Sequence, residues 1–398
     1  MADDKTARIA AACRARDTHT LAALASSPHG LVNDSLRRAA WPLLLGVGVG
    51  VDGNQDESDV DVDVDALPPH TDEHQVDLDV NRAFVYYPPS DSPDALARRQ
   101  TELNAVIVAV LRRHPALSYF QGYHDIVQVL YLVLGPRAAT PAAARLSLLR
   151  IRDFMLSSLD PAVAHLQLLR PLLRRTDPAL YHRLPRGAAT FALAGTLTMF
   201  AHNLQHYHHV TRLFDFFLAH HPVMPIYLFA AVALSRRDDL LAIDPEDQDI
   251  LHVVLSKLPD PFDVEFHISR TLELYERLPP ASLRSWEWWS ISSNSVLKTA
   301  STADAMRHQT LQEGERYFAR QEKELRRKLA LKRATIRLRH LRSRLWYYRR
   351  YGSIGLALLV GAYALWLGKG TYTYSDTARL PLLGMLANLT KNIFSSST

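Results

Sequence analysis

The chain has 398 residues, 47% of them hydrophobic and 22% charged, with a net charge of +5 and a single cysteine. That length allows one large domain with material to spare, and the lone Cys13 excludes an internal disulfide framework or a zinc site built from several cysteines. Residues 316–350 hold fourteen Lys/Arg against Glu322 and Glu324, a local +12, and taking this from +5 leaves −7 for everything else. The basicity of the whole is therefore no argument for a nucleic-acid partner, and none is expected.

Met1–Ala10 lacks the apolar core of a secretory signal, and residues 1–29 read as an Ala/Leu-rich helical extension. The stretch from Gly30 to Gly46 reads GLVNDSLRRAAWPLLLG. Asn33 or Asp34 is placed to cap a helix carrying Leu36, Ala39 and Ala40, and Gly46 to end it. Pro42, next to Trp41, predicts a kink or a second short turn. Residues 47–68 are an acidic loop insert. Within it Gly48–Gly53 formally matches GxGxxG, but no strand precedes it, no helix follows, and acidic residues crowd the place where a pyrophosphate needs positive potential. Asp59, Asp61, Asp63 and Asp65 alternate without the Gly and Glu positions of an EF-hand loop, so they read as a solvated acidic segment.

Val76, Asp79 and Arg82 fall at i, i+3 and i+6, which predicts a helix with Asp79 and Arg82 as neighbours, ended by Pro88-Pro89. The ordinary reading is a surface ion pair of small worth. The sharper one is an arginine held by Asp79 and aimed outward at an anion. Ser92-Pro93-Asp94 starts an amphipathic helix over 94–114, with Ala97, Leu103, Val106, Ile107 and Val110 on its apolar side. His114-Pro115 closes it. Then comes Tyr119–Ile126, YFQGYHDI, where Gln121 and Gly122 stand between aromatics just before an apolar run. A buried amide without partners costs roughly 1–3 kcal/mol, so Gln121 needs a task, and Gly122 permits a turn that other residues resist.

From 123 to 280 nearly every segment reads helical, punctuated by prolines, with no alternating run long enough for a sheet and no 20–50-residue repeat. The fold class is all-α. His202, His206, His208, His209, His220 and His221 invite a metal reading. No Glu follows His202 in the zincin pattern, however, and they are read as structural, with no metal site. The chain has no GxxxxGK[ST] loop and no GxSxG elbow, hence no means of its own to hold a nucleotide or form an acyl-enzyme.

After a linker that opens at 286, Leu331, Ala334, Leu338, Leu341 and Leu345 make an apolar stripe on a basic juxtamembrane helix running to 350. Tyr351–Gly368 is an uncharged run of eighteen residues, at the short end of the ~17–25 needed to span a bilayer. Trp346, Tyr347, Tyr348 and Trp366 provide interfacial aromatics, and the basic block predicts a cytosolic N-terminal side. Residues 369–398 would then be a short lumenal tail, with Asn388 in a usable glycosylation sequon and Leu380–Leu389 apolar enough to return to the membrane.

Taken together, GLVNDSLRRAAWPLLLG, Val76-x-x-Asp79-x-x-Arg82, Tyr119-x-Gln121-Gly122 and Arg212-Leu213-Phe214-Asp215 resemble the TBC-domain GTPase-activating proteins of Rab GTPases, over roughly 30–285. The last three are similar to that family's IxxDxxR, YxQG and RxxD elements, with Val76 in place of Ile. The text around them is most similar to the ER-anchored branch that acts early in secretion. The resemblance implies a two-lobed helical domain and a trans-acting pair: Arg82 as arginine finger, oriented by Asp79, and Gln121 as the group that positions water. It implies that Tyr119 and Gly122 hold the glutamine loop, and that Trp41, Arg212 and Asp215 are structural. The implied partner is a Rab GTPase in its GTP state. GTP and Mg²⁺ belong to that partner, so the chain needs no cofactor. The implied place is the ER or early Golgi membrane, with the domain facing the cytosol. The competing expectation is a silent TBC scaffold or membrane tether that binds without accelerating hydrolysis.

Overall fold

Local capping chemistry sets many of the helix boundaries. In the computed structural model, which describes residues 2–48, 63–88, 92–300 and 302–369, Asn33 caps a helix over Asp34–Leu45 by accepting from the Leu36 N–H. Gly46 ends it with a left-handed φ of 77°. The second turn expected at Pro42 is absent, and a single helix runs through it. Ser92 starts Pro93–Arg113 and His114 closes it, in line with the amphipathic pattern.

Nineteen α-helices and no strand occur among the described residues. The first seven are α1 (Ala2–Ala15), α2 (Thr18–Ser26), α3 (Asp34–Leu45), α4 (Glu73–Val80), α5 (Pro93–Arg113), α6 (Tyr123–Leu134) and α7 (Pro136–Leu149). Then follow α8 (Asp160–Leu166), α9 (Leu169–Thr176), α10 (Pro178–Arg183), α11 (Leu193–Leu197), α12 (Tyr207–Ala219) and α13 (Met224–Ser235). The last are α14 (Arg237–Ala242), α15 (Gln248–Ser256), α16 (Val264–Arg277), α17 (Trp286–Ser290), α18 (Ala303–Arg307) and α19 (Leu311–Lys369). Helices α1–α7 pack on one another, and α13 packs on α9, α11 and α16. Helix α12 touches α2 and α3 on one side and α16 on the other, so it joins the two groups. It is suited to this because Val210 to Ala219 is buried without interruption.

Residues 2–29 of the expected helical extension carry α1 and α2, with Ile9 and Leu21 fully buried. The linker expected to open at 286 is packed as far as Arg326, where the first compact unit ends. Its anchor is Asp153, fully buried, which accepts from Ser295 Oγ at 2.5 Å, from the Val296 N–H at 3.1 Å and from Gln321 Nε2. Arg145 adds bonds to the carbonyls of Arg307 and Gln309.

The second unit begins at Arg327, and its described part is the continuation of α19. Leu331, Leu338 and Leu341 of the basic stripe are exposed, as are Leu356, Leu359 and Trp366 further on. By length and composition this helix is apolar enough to cross a membrane, and none of its apolar window is buried in protein. Most of the acidic insert, including Gly50, Gly53, Asp59 and Asp61, lies outside the described residues, as do Asn388 and Leu380–Leu389.

Candidate functional site

Helix α4 is shorter than the spacing of Val76, Asp79 and Arg82 suggests. It stops at Val80, with Asn81 as C-cap, rather than running to Pro88-Pro89. Arg82 therefore sits one residue beyond the cap, its N–H donating to the Asp79 carbonyl at 3.0 Å. The side chains part company there. Asp79 turns inward and is buried, whereas Arg82 is exposed. The expected Asp79–Arg82 ion pair is not made: the Asp79 carboxylate accepts instead from Gln75 Nε2 at 3.1 Å and from the Tyr119 hydroxyl at 2.9 Å. Arg82 has no side-chain partner among the described residues.

The Tyr119 bond reaches across 40 positions to the other motif. Because the phenol proton goes to Asp79, the 3.0 Å contact between Tyr119 and His124 Nδ1 requires the imidazole N–H to donate to the phenol oxygen. Burial, followed by the hydrogen bond to Asp79, pushes the Tyr119 phenol well above its ordinary range, so it remains a neutral donor. The Tyr119 N–H donates in turn to Asp72 at 2.8 Å. On the far side of Arg82, Phe84 adopts a left-handed φ of 64° and its N–H donates to Gln128 Oε1 at 3.1 Å. Gln128 is a buried amide on α6. The segment bearing Arg82 is thus tied before and after that residue to the segment bearing Gln121.

Gln121 is itself exposed and, like Arg82, has no side-chain partner among the described residues. Gly122 sets its direction. It caps α6 at φ 100°, and a Cβ there would meet Thr198 Cγ2 at 2.6 Å. Only glycine accepts both the torsion and the contact. Thr198 is followed by Met199 and Phe200, both left-handed, so the glutamine loop leans on a strained turn. Asp125 closes this edge, with His202 Nδ1 at 3.0 Å and His124 Nε2 at 3.4 Å.

The third motif lies in the interior. Asp215 is fully buried and accepts from Arg37 Nε and Nη2, both at 3.0 Å, from Trp41 Nε1 at 2.8 Å and from the Leu31 N–H at 2.9 Å. Gly30 must be glycine here, since φ is +51° and a Cβ would lie 2.5 Å from Asp215 Oδ2. Arg212 pairs with Glu265 at 2.7 and 2.9 Å and donates to the carbonyls of Ala25 and Ser27. Trp41, Arg212 and Asp215 together clamp α2 and α3 to α12 and α16, with no access to a ligand.

Among the described residues no group of three or more His, Cys, Asp or Glu is arranged to hold a metal. His202 is paired with Asp125, while His209 stands edge to face on both His206 and His208. Sequence reasoning missed Arg37, Gln128, His124 and Asp72. Arg37 stands four positions before Trp41 on one helix face, and Gln128 is a lone amide in an apolar run. Both were signals of buried partners.

The Rab-GTPase-TBC domain profile matches residues 34–241, which include all three motifs. TBC1 domain family member 20 of Bos taurus is 36% identical over 269 residues, covering 67% of this chain. The match spans 65% of that relative's own length. The GTPase-activating protein gyp10 of Schizosaccharomyces pombe is 32% identical over 302 residues, covering 71% of this chain and 79% of its own length. The crystal structure of the Ypt/Rab-GAP domain of Gyp1p superposes with a TM-score of 0.51 at 17% identity, covering 65% of this chain and 93% of that one, so the fold is shared. With the profile spanning the α3 start, both exposed motifs and the buried Asp215 clamp, this chain belongs to the Rab-GTPase-TBC family.

Proposed function

We propose that the chain is a GTPase-activating protein for a Rab GTPase, and that it works by lending Arg82 and Gln121 to the GTPase's nucleotide site. One observation carries the reading: two long polar side chains, both exposed and unpartnered, stand on segments bonded to each other through Asp79–Tyr119 and Phe84–Gln128. A fold that merely needed surface charge would not anchor these two residues so firmly from behind.

Phosphoryl transfer from GTP needs negative charge neutralised on the transferring group and a water held in line. In this reading the Arg82 guanidinium supplies the charge and the Gln121 amide orients the water. Asp79 acts indirectly: it fixes Tyr119, two residues before Gln121. GTP and Mg²⁺ arrive with the GTPase, which must be in its GTP state to be a substrate. The apolar stretch 351–368 and the basic 316–350 segment would hold the chain on an ER or early Golgi membrane, with the folded unit in the cytosol, so that the Rab served acts in the ER-to-Golgi step. GTP hydrolysis by a panel of Rabs, with the full chain and its Arg82 and Gln121 variants, tests the activity. Deleting residues 327–398 should abolish membrane location and leave hydrolysis in solution.

A further inference from the structure

Immediately after Arg82 the chain makes a turn that is anchored at both ends and apolar at its tip. Phe84 is 8% exposed and is held by its N–H bond to Gln128. Tyr87 is 4% exposed, its ring 5.7 Å from that of Tyr207 and its hydroxyl 3.3 Å from the Ala201 carbonyl. Between these anchors Val85 is 74% exposed and Tyr86 53%. Leu78, four residues before Arg82, is 43% exposed.

Single exposed apolar side chains need no explanation. Here, however, two adjacent ones are pushed into water by a backbone that takes a left-handed φ at Phe84, a conformation a bulky residue adopts only at a cost. The buried anchors remove the freedom that would let Val85 and Tyr86 fold back. Tyr is enriched among the residues that dominate binding, because it presents a large rigid surface with few torsions to freeze. The turn is also continuous with Arg82, so whatever receives the guanidinium must lie against it.

We infer that Val85 and Tyr86 are the apolar anchor by which the GTPase docks, packing on an apolar surface beside its nucleotide site and so fixing Arg82 in register. This rests on the proposed activity and assigns the turn to recognition, with chemistry left to Arg82 and Gln121.

The test is steady-state GTP hydrolysis at increasing concentrations of a Rab that the full chain stimulates, with Val85→Ser, Tyr86→Ser, the double variant, Tyr86→Phe and Arg82→Ala. Tyr86→Ser should raise KM about tenfold or more, as expected for loss of a hot-spot tyrosine, and keep kcat within about twofold. The double variant should raise KM further, and Tyr86→Phe should restore it. Arg82→Ala should lose kcat instead. An unchanged KM in the double variant overturns the docking turn. If Arg82→Ala is dead at the same time, the proposed activity survives without it. Stimulation that persists in Arg82→Ala removes the activity and the inference together. A concentration-dependent dimer in sedimentation that Tyr86→Ser dissociates, with KM unchanged, gives the turn to self-association and likewise overturns it.

Discussion

The Tyr119 hydroxyl donates to the Asp79 carboxylate at 2.9 Å, and this bond is one of those that fasten the glutamine loop to the segment that carries Arg82. Asp79 is therefore no partner of the arginine near it in sequence. It is the buried acceptor that gives Tyr119, and through it Gln121, a fixed position.

Tyr119→Phe leaves the ring packing in place and removes that donor. A buried carboxylate that loses a hydrogen bond costs about 1–3 kcal/mol, so the urea midpoint should fall accordingly. Stimulated hydrolysis should fall as well, through kcat, because Gln121 loses its register. Normal stability in Tyr119→Phe would mean that the bond is not holding the two segments.

Gly122→Ala places a methyl against Thr198 Cγ2 and forces a non-glycine residue to φ 100°. The left-handed torsion alone costs roughly 1–2 kcal/mol. Adding Thr198→Ser deletes Cγ2 while keeping the hydroxyl that donates to the Ala194 carbonyl. The double variant should recover the steric part of the loss in thermal unfolding and retain the torsional part. Strict additivity of the two substitutions would contradict the contact.

How far these features could be read from the sequence depended on the range of the interaction. The caps Asn33, Gly46 and Ser92 were legible because a cap is a bond within four residues. The partner of Asp79 was not. Spacing along a helix pointed to Arg82, but α4 ends at Val80 and the true partner lies 40 residues on. Residues 286–350 read as a linker and a basic helix, and only the fold brings Ser295 and Gln321 to Asp153. Arg82 and Gln121 were legible as candidates because the stretches that carry them resemble the TBC family's motifs. Their shared support was not, because it runs through the backbone N–H of Phe84 and the amide of Gln128.

Acid should destabilise the fold through His220 and His221. Burial, reinforced by Arg150, lowers both to about 4, and His221 Nδ1 accepts the Val223 N–H, as only an unprotonated ring nitrogen does. A histidine kept neutral in the fold contributes stability above its unfolded value near 6.5 and loses it as pH falls from there towards 4. Each can add a slope of at most about 1.4 kcal/mol per pH unit. Urea unfolding between pH 7 and 4 should show this loss, and His221→Asn should flatten it. A stability that rises on acidification across that window would contradict the assignment.

The most direct test is single-turnover GTP hydrolysis by a responsive Rab with the full chain, Arg82→Ala, Arg82→Lys and Gln121→Ala. An arginine finger contributes about 10³–10⁵ in rate, so Arg82→Ala should bring hydrolysis close to the intrinsic rate. Arg82→Lys should remain poor, since a point charge does not reproduce the guanidinium fork, and Gln121→Ala should also fail to stimulate. Stimulation left intact by both Arg82→Ala and Gln121→Ala would contradict the account at its centre.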